Sequence, residues 1–332
     1  MVLTPSESEG HRIRLTDPLR RMSLIKPLTR PHPLLSGARV AVLAVSSPSD
    51  PERIEPAADR LRQQGLDVWL APNLYQRTAG YLAGSDSQRV SVINEALRSD
   101  QFDAFFFARG GYGAMRILDG IDYEALRRNP RPLIGYSDLT AVHQAMAIRA
   151  GVGGFHGPML NTDFFDGLSP VIDNWFWTLL RGDAPSEFTL SDDQIMVEGL
   201  ASGTLFGGCL SLTHSLLGTP FDFWIDDGIW FWEDVGEATY RIDRMLTHLR
   251  LSGKLQSIRG VMIGKLKQCG DTGSGDLKSL LEEFFSSAGI PVLHNLPFGH
   301  FGDNLLLPIG ARVEIDTRQR RLRLPDPVVM PG

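Results

Sequence analysis

The feature that most constrains the fold is an alternation of short apolar runs with amphipathic stretches, which begins near Arg39. Residues 38–45 and 66–71 are apolar and have the length of buried strands, and residues 54–64 between them have helical spacing. The pattern continues with a predicted helix at 87–98, a strand at 104–108, a helix from Ala114 and a strand that ends at Gly135. Alternation of this kind is typical of a parallel sheet flanked by helices. It predicts an N-terminal α/β domain over residues 37–165.

The rest of the chain differs from this pattern on both sides. Residues 166–200 contain one aromatic helical segment among glycines and prolines, and are predicted to be a linker. Residues 201–325 contain glycine-bounded strands and are predicted to form a second, α+β domain. The strands are predicted at 229–233, 260–265 and 311–316, and the helices at 210–217, 240–252 and 277–288.

The first 36 residues carry several arginines but no continuous apolar run, so neither an export signal nor a membrane span is predicted. We interpret residues 1–36 as a poorly ordered extension of a cytoplasmic protein. The translation start is either Met1 or Met22.

Composition narrows the possible functions. The chain has 332 residues, 42% hydrophobic and 22% charged, which is enough for two domains with real cores. Its net charge of -6 argues against a nucleic-acid surface. Cys209 and Cys269 lie far apart and outside any C-x-x-C pair, so neither a disulfide framework nor a structural metal site is expected.

A candidate nucleophile lies where the predicted strand that ends at Gly135 leads into a helical pattern. A serine in such a turn, here Ser137, can present its hydroxyl for attack on a carbonyl. The local pattern allows a second interpretation, in which Ser137 or Asp138 only caps the helix at 139–149.

The glycine-rich residues 109–116 also lie between a strand and a helix. The dinucleotide fingerprint fails because Arg116 occupies the position of its third glycine. Adjacent glycines at Gly110 and Gly111 can instead bring bare backbone N–H groups close to an anion, as an oxyanion hole requires. A tight turn without a ligand remains the alternative.

A serine nucleophile needs a base and a group that orients the base. Three histidines lie in predicted loops, whereas the others fall in the extension or in predicted helices: the loop histidines are His156, His294 and His300. His300 stands between two glycines, a setting that suits presentation to a cleft. Glu233 ends a predicted buried strand, where an unpaired carboxylate is costly.

The chain resembles the LD-carboxypeptidase family of serine peptidases, which includes murein tetrapeptide carboxypeptidases and microcin C immunity peptidases. The resemblance rests on several short motifs and on their order along the chain. The resemblance extends from about residue 37 to 315. The motifs are Tyr81-Leu82-Ala83-Gly84, Arg109-Gly110-Gly111-Tyr112-Gly113, Gly135-Tyr136-Ser137-Asp138, His156-Gly157-Pro158, Gly218-Thr219-Pro220, Glu233-Asp234-Val235-Gly236-Glu237, Tyr240-Arg241-Ile242-Asp243-Arg244 and Gly299-His300.

The resemblance implies specific roles. Ser137 is then the nucleophile, His300 the general base and Glu233 its orienter, while the backbone N–H groups of Gly111 and Asp138 form the oxyanion hole. The implied site lies between the two domains. The implied fold class is α/β, with a parallel sheet of the flavodoxin or glutamine-amidotransferase type and a C-terminal α+β domain with a small β-barrel-like sheet. Similar sequences commonly have asparagine where this chain has Cys209, which puts one polar contact of the second domain in doubt.

The resemblance further implies a peptide substrate and a homodimer, with no metal, cofactor, nucleic-acid or membrane partner. The leading hypothesis is release of the terminal D-alanine from a murein tetrapeptide during wall-peptide recycling. Glu237 favours it, because a carboxylate suits the free ammonium of a diamino acid, whereas the phosphate of a peptidyl nucleotide would favour lysine. Arg109 or Arg241 is a candidate for gripping the substrate carboxylate. The alternatives are cleavage of peptidyl-nucleotide toxins of the microcin C type and a non-catalytic ligand-binding module.

Overall fold

Two β-sheets organise the chain in the computed structural model, which describes residues 27–183, 186–270 and 276–331. The strands are β1 Arg39–Leu43, β2 Asp67–Leu70, β3 Ala104–Phe107, β4 Leu133–Ile134, β5 Phe155–His156, β6 Ser186–Thr189, β7 Ile195–Val197, β8 Leu200–Cys209, β9 Ile229–Glu233, β10 Gly260–Gly264, β11 Val292–Leu296, β12 Leu307–Pro308, β13 Arg312–Asp316 and β14 Arg321–Leu324. The α-helices are α1 Pro51–Gln63, α2 Asp86–Arg98, α3 Tyr123–Arg128, α4 Leu139–Arg149, α5 Pro170–Arg181, α6 Leu210–Leu216, α7 Thr239–Leu251 and α8 Leu277–Phe285.

The first sheet has the strand order β12-β5-β4-β3-β1-β2. Strands β1 to β5 pair in parallel, and β12 adds an antiparallel edge. All four residues of the central strand β3 are buried, as expected for a parallel strand covered on both faces. The predicted parallel sheet is confirmed, and β12 shows that the chain returns to this sheet after leaving the second one.

The second sheet has eight strands in the order β6-β14-β13-β8-β9-β10-β11-β7 and is curled. Strands β8 to β11 pair in parallel, and antiparallel strands continue the sheet at both ends. The predicted α/β fold class, with a small curled sheet in the C-terminal part, is therefore confirmed. Strand β9, which carries Glu233, has all five residues buried in the middle of this sheet.

One predicted helix has a different form. Where the sequence predicts a helix from Ala114, the structure has a 3-10 helix over Ala114–Gly120, followed after two residues by α3. Asn94 of α2 explains the break, because its side chain donates to Gly120 O and accepts from Asp122 N, both at 2.8 Å. These bonds satisfy backbone groups that a longer helix would have paired internally.

The N-terminal extension is only partly covered by the structure. Residues 1–26, with Met1, Met22 and His11, lie outside the described residues. Residues 27–36 are packed against the domain, which differs from the prediction of poor order: Leu34 is 1% exposed and Thr29 bridges to Val152. Burial of apolar side chains such as Leu34 offsets the entropy cost of ordering this stretch. In the described part of the chain, no helix combines the length and apolar character needed to cross a bilayer.

Candidate active site

Ser137 lies in the sharp turn between β4 and α4. Its backbone has φ 63°, a left-handed conformation that is strained for a residue other than glycine. Such strain concentrates at functional sites, and a strand, a sharp turn and a helix form the geometry that exposes a nucleophile. The structure therefore places the Ser137 hydroxyl at the carboxyl edge of the first sheet.

The helix-capping interpretation of this turn is not realised. Helix α4 starts after Asp138, which has helical dihedrals and makes no side-chain capping bond. The first N–H groups of α4 donate to backbone carbonyls, for example Thr140 N to Ser137 O at 2.9 Å. The Asp138 carboxylate instead accepts from Ser46 Oγ at 2.6 Å and from Ala114 N at 2.8 Å. Burial raises the pKa of Asp138, and these two hydrogen bonds only partly oppose that effect.

A chain of hydrogen bonds joins Ser137 to the second sheet. His300 Nε2 lies 2.9 Å from Ser137 Oγ, and His300 Nδ1 lies 2.6 Å from Glu233 Oε2. The His300 backbone N–H also donates to Glu233 Oε2, at 3.2 Å. The loop between β11 and β12 thus carries His300 to a serine 163 residues earlier in the chain.

The position of Glu233 fixes the tautomer of His300. An ionised carboxylate can only accept hydrogen bonds, so Nδ1 carries the proton and Nε2 is left to accept from the serine hydroxyl. The Glu233 side chain is fully buried at the end of β9. Gly299 allows this close approach, because a Cβ there would lie 2.8 Å from Glu233 Oε2.

Burial alone lowers the pKa of His300, but the charge and hydrogen bond of Glu233 act in the opposite direction. Asp234 and Asp163 add to the effect of Glu233, and the net pKa of His300 lies above its usual value. Asp163 is itself buried, which raises its pKa to about 6. The site therefore favours the imidazolium form that arises when His300 takes a proton.

The N–H groups of Gly111 and Asp138 are the candidate donors of an oxyanion hole beside Ser137. The glycine loop, residues 109–113, touches the serine closely, since a Cβ on Gly110 would lie 2.8 Å from Ser137 Cβ. Gly111 has φ 103°, which favours glycine. Within the described ranges, no acceptor is bonded to the N–H of Gly111 or of Asp138.

The other candidate side chains are less closely tied to Ser137. Arg109 is exposed and donates to Pro48 O at 3.2 Å. Glu237 and Arg241 form an ion pair with each other at 3.7 Å, in the segment that follows β9. An ion pair at this distance with one exposed partner contributes little to stability and is easily exchanged.

The competing histidines have other contacts. His143 Nε2 bonds to Gly135 O at 2.8 Å, and His248 Nδ1 bonds to His214 Nε2 at 2.9 Å. His156 is fully buried among aromatic rings, where burial holds its pKa well below the usual value. Of the histidines that the structure describes, His300 alone contacts Ser137.

Sequence reasoning missed several contributors to the site. Ser46 bonds to Asp138, Ser47 Oγ accepts from Tyr112 N at 3.3 Å, and the Tyr136 ring packs 5.0 Å from His300. The serines follow β1 at the same carboxyl edge as the glycine loop and Ser137, and that shared edge is the signal that could have identified them. Cys209, which the sequence flagged, bonds to Asp234 Oδ1 through its Sγ at 3.4 Å.

No group of three or more histidine, cysteine, aspartate or glutamate residues in the described ranges is arranged to hold a metal ion. The side chains gathered at Ser137 are those of nucleophilic catalysis. In general, a serine bonded to a histidine that a carboxylate orients can form an acyl intermediate.

Models of one protein family match both halves of the chain. Residues 40–157 match the LD-carboxypeptidase N-terminal domain, and residues 202–315 match the LD-carboxypeptidase C-terminal domain. Ser137 lies within the first of these matches, and Glu233 and His300 lie within the second.

Individual relatives cover nearly the full length. The probable murein peptide carboxypeptidase of Bacillus subtilis (strain 168) is 36% identical over 88% of this chain and 92% of its own length. The solved structure of the muramoyltetrapeptide carboxypeptidase from Oxalobacter formigenes is 29% identical, with a TM-score of 0.77 over 87% of this chain and 99% of that chain. The microcin C7 self-immunity protein MccF shares the fold, with a TM-score of 0.83 at 22% identity over 91% of this chain and 99% of that chain.

Proposed function

Because this chain belongs to the LD-carboxypeptidase family, we propose that it is a serine-type LD-carboxypeptidase acting on murein tetrapeptides. The bond cleaved is the amide between the L-centre of a diamino acid and a terminal D-alanine. The observation that carries the proposal is the continuous line of hydrogen bonds from Ser137 through His300 to Glu233.

In the proposed mechanism, Ser137 Oγ attacks the amide carbonyl while His300 Nε2 takes the hydroxyl proton. Glu233 holds the imidazole and stabilises the imidazolium that forms. His300 then gives the proton to the nitrogen of the departing D-alanine, and the C–N bond breaks to leave an ester on Ser137. Water, deprotonated by His300, hydrolyses that ester and restores the hydroxyl.

The negative oxygen of each tetrahedral intermediate is assigned to the N–H groups of Gly111 and Asp138. Support for this assignment comes from the close approach of Gly110, which precedes Gly111, to Ser137 and from the lack of an acceptor bonded to either N–H in the described residues. Two preorganised donors at this position stabilise the charge that develops in the transition state.

For the substrate carboxylate, Arg109 is the better of the two arginine candidates. It is the first residue of the glycine loop, and no described carboxylate lies within ion-pair distance of its guanidinium, whereas Arg241 is paired with Glu237. A planar guanidinium can bind a carboxylate through two parallel hydrogen bonds.

We further propose a location and an oligomeric state. We assign the protein to the cytoplasm, where recycled wall peptides would reach it, and we assign it a homodimeric state. Its substrate is a peptide, and nucleic acid is not a partner.

We expect the protein to release D-alanine from a free murein tetrapeptide and to leave the same peptide ending in L-alanine uncleaved. The reason is that an LD-carboxypeptidase must fit a D-configured leaving group. The measurement is kcat/KM for both peptides and for a peptidyl nucleotide in parallel. A higher kcat/KM for the peptidyl nucleotide would identify the microcin-type alternative, and no turnover with no covalent labelling of Ser137 would leave the ligand-binding module.

Charge reversal at Glu237 tests the preference for a cationic substrate end. We expect Glu237→Lys to lower kcat/KM for a tetrapeptide with a free side-chain ammonium by about tenfold, because attraction becomes repulsion at a partly exposed site. Glu237→Gln is the matched control and should have a smaller effect. Equal kcat/KM for all three proteins would show that Glu237 does not contact the substrate.

A further inference from the structure

A single peptide unit next to the glycine loop lies between two opposite charges. Arg89 Nη1 donates to Gly113 O at 2.7 Å, and Asp138 Oδ2 accepts from Ala114 N at 2.8 Å. Gly113 O and Ala114 N belong to the same peptide bond. A cation therefore holds its carbonyl end and a carboxylate holds its N–H end.

Both charged side chains are anchored inside the protein. Arg89 is 0% exposed and also bonds to Val45 O and to Asp86. Asp138 is 1% exposed and also accepts from Ser46 Oγ. Burying charged groups is costly unless their hydrogen bonds are made, and charge-assisted bonds of this kind are about twice as strong as neutral ones.

The glycine loop needs such support. Gly111 has φ 103° and Gly113 has φ 128°. Because glycine populates many other backbone conformations as easily, these two residues do not by themselves keep the loop in this shape. Its first end is fixed by β3, where Ala108 N donates to Leu43 O at 2.9 Å. The peptide between Gly113 and Ala114 is its other end. Between these ends, Ser47 N donates to Gly110 O at 3.2 Å and Ser47 Oγ accepts from Tyr112 N at 3.3 Å, so Gly111 lies between bonded neighbours.

We propose that the side chains of Arg89 and Asp138 are positioning residues that clamp the Gly113–Ala114 peptide and thereby hold Gly111 N–H in the oxyanion hole. The inference rests on the proposed serine mechanism. Asp138 links the two donors of the hole: its own N–H is one, and its carboxylate fixes the loop that supplies the other. The distance between the donors is thus set through one residue.

Asp138→Ala separates these two contributions, because alanine keeps the backbone N–H and loses the carboxylate. We expect kcat to fall by about 10²-fold to 10³-fold, the usual effect of losing one oxyanion donor. KM should stay within about threefold, because the oxyanion forms only after substrate binding. Titration of active sites with an acylating probe corrects kcat for any unfolded fraction.

Asp138→Asn, the conservative variant, distinguishes loss of the clamp from a general loss of folding. We expect Asp138→Asn to recover kcat to within about tenfold of the wild-type value, because its side-chain oxygen still accepts from Ala114 N. Asp122→Ala is the matched control, since Asp122 also accepts a backbone N–H bond, from Ala125 at 3.1 Å, but at the start of α3. Its kcat should equal that of the wild type.

The second-order rate constant for phosphonylation of Ser137 by a fluorophosphonate gives a readout that needs no peptide substrate. It should fall in parallel with kcat in Asp138→Ala and recover in Asp138→Asn, because the probe also places an oxygen in the hole. If the wild type is labelled but releases no D-alanine, the proposed substrate is wrong and the labelling rates still test the clamp. The clamp is overturned if Asp138→Ala is labelled at the wild-type rate, or if Asp138→Asn is as slow as Asp138→Ala.

Discussion

Replacing Ser137 with alanine is expected to lower kcat for D-alanine release by about 10⁴-fold to 10⁶-fold. The Ser137 hydroxyl is the group bonded to His300 Nε2, and without it no acyl intermediate can form. KM should change little, because the hydroxyl is small and substrate binding relies on other contacts. The measurement is single-turnover release of D-alanine, which separates chemistry from product dissociation.

The matched control for this variant is Ser49→Ala. Ser49 lies in the loop after β1, and its buried hydroxyl has no hydrogen-bond partner among the described residues. Loss of that hydroxyl should leave kcat unchanged. Retention of more than about a hundredth of the wild-type kcat in Ser137→Ala would exclude a serine acyl-enzyme, since a triad serine contributes far more than that.

The residues that hydrogen bonds link to Ser137 could be predicted from family order but not from the local pattern. The residues near Ser137 left nucleophile and helix cap equally open, and three loop histidines competed for the role of base. The reason is physical: the two hydrogen bonds of His300 reach residues 163 and 67 positions away. Helical or strand periodicity carries no information at such separations. The role of each residue in catalysis stays a prediction until it is measured.

The fold was predictable where apolar runs are uninterrupted. Strand β9 was predicted at its observed bounds, and the parallel first sheet followed from its alternating pattern. Strand β8 was missed although it is the longest one described, because Gly203, Gly207 and Gly208 interrupt its apolar pattern. Glycines inside a strand weaken the signal on which sequence prediction depends.

Short edge elements were missed for another reason. Strand β12 has two residues, and only its partner β5 makes it a strand. The packing of residues 27–36 likewise depends on surfaces formed later in the chain, such as Val152 and Leu180. In both cases tertiary contacts, not local preference, determine the structure.

Replacing Glu233 with glutamine is expected to lower kcat by about 10⁴-fold, the effect of the corresponding change in other serine triads. The glutamine amide can donate to His300 Nδ1, which moves the imidazole proton to Nε2. A protonated Nε2 cannot accept the Ser137 proton. This orientation of the amide gives up the bond from His300 N, which reaches the same Glu233 oxygen as Nδ1 does.

The pH profile distinguishes this electronic role from a structural one. Only neutral His300 can act as base, so kcat/KM of the wild type should rise with pH and reach half its plateau above the usual imidazole pKa. The anion of Glu233 stabilises the imidazolium and thus raises the pKa of His300. In Glu233→Gln that charge is gone, and burial then lowers the pKa of His300. The midpoint of the residual activity should therefore move to lower pH.

Asp234→Asn is the control for a general loss of negative charge near His300. Asp234 also raises the pKa of His300, but its carboxylate bonds to Ser211 N at 2.7 Å and not to the imidazole. Its substitution should shift the midpoint in the same direction by a smaller amount and should leave the tautomer of His300 unchanged. A Glu233→Gln profile whose midpoint stays in place or moves to higher pH would mean that Glu233 does not act on His300 through its charge.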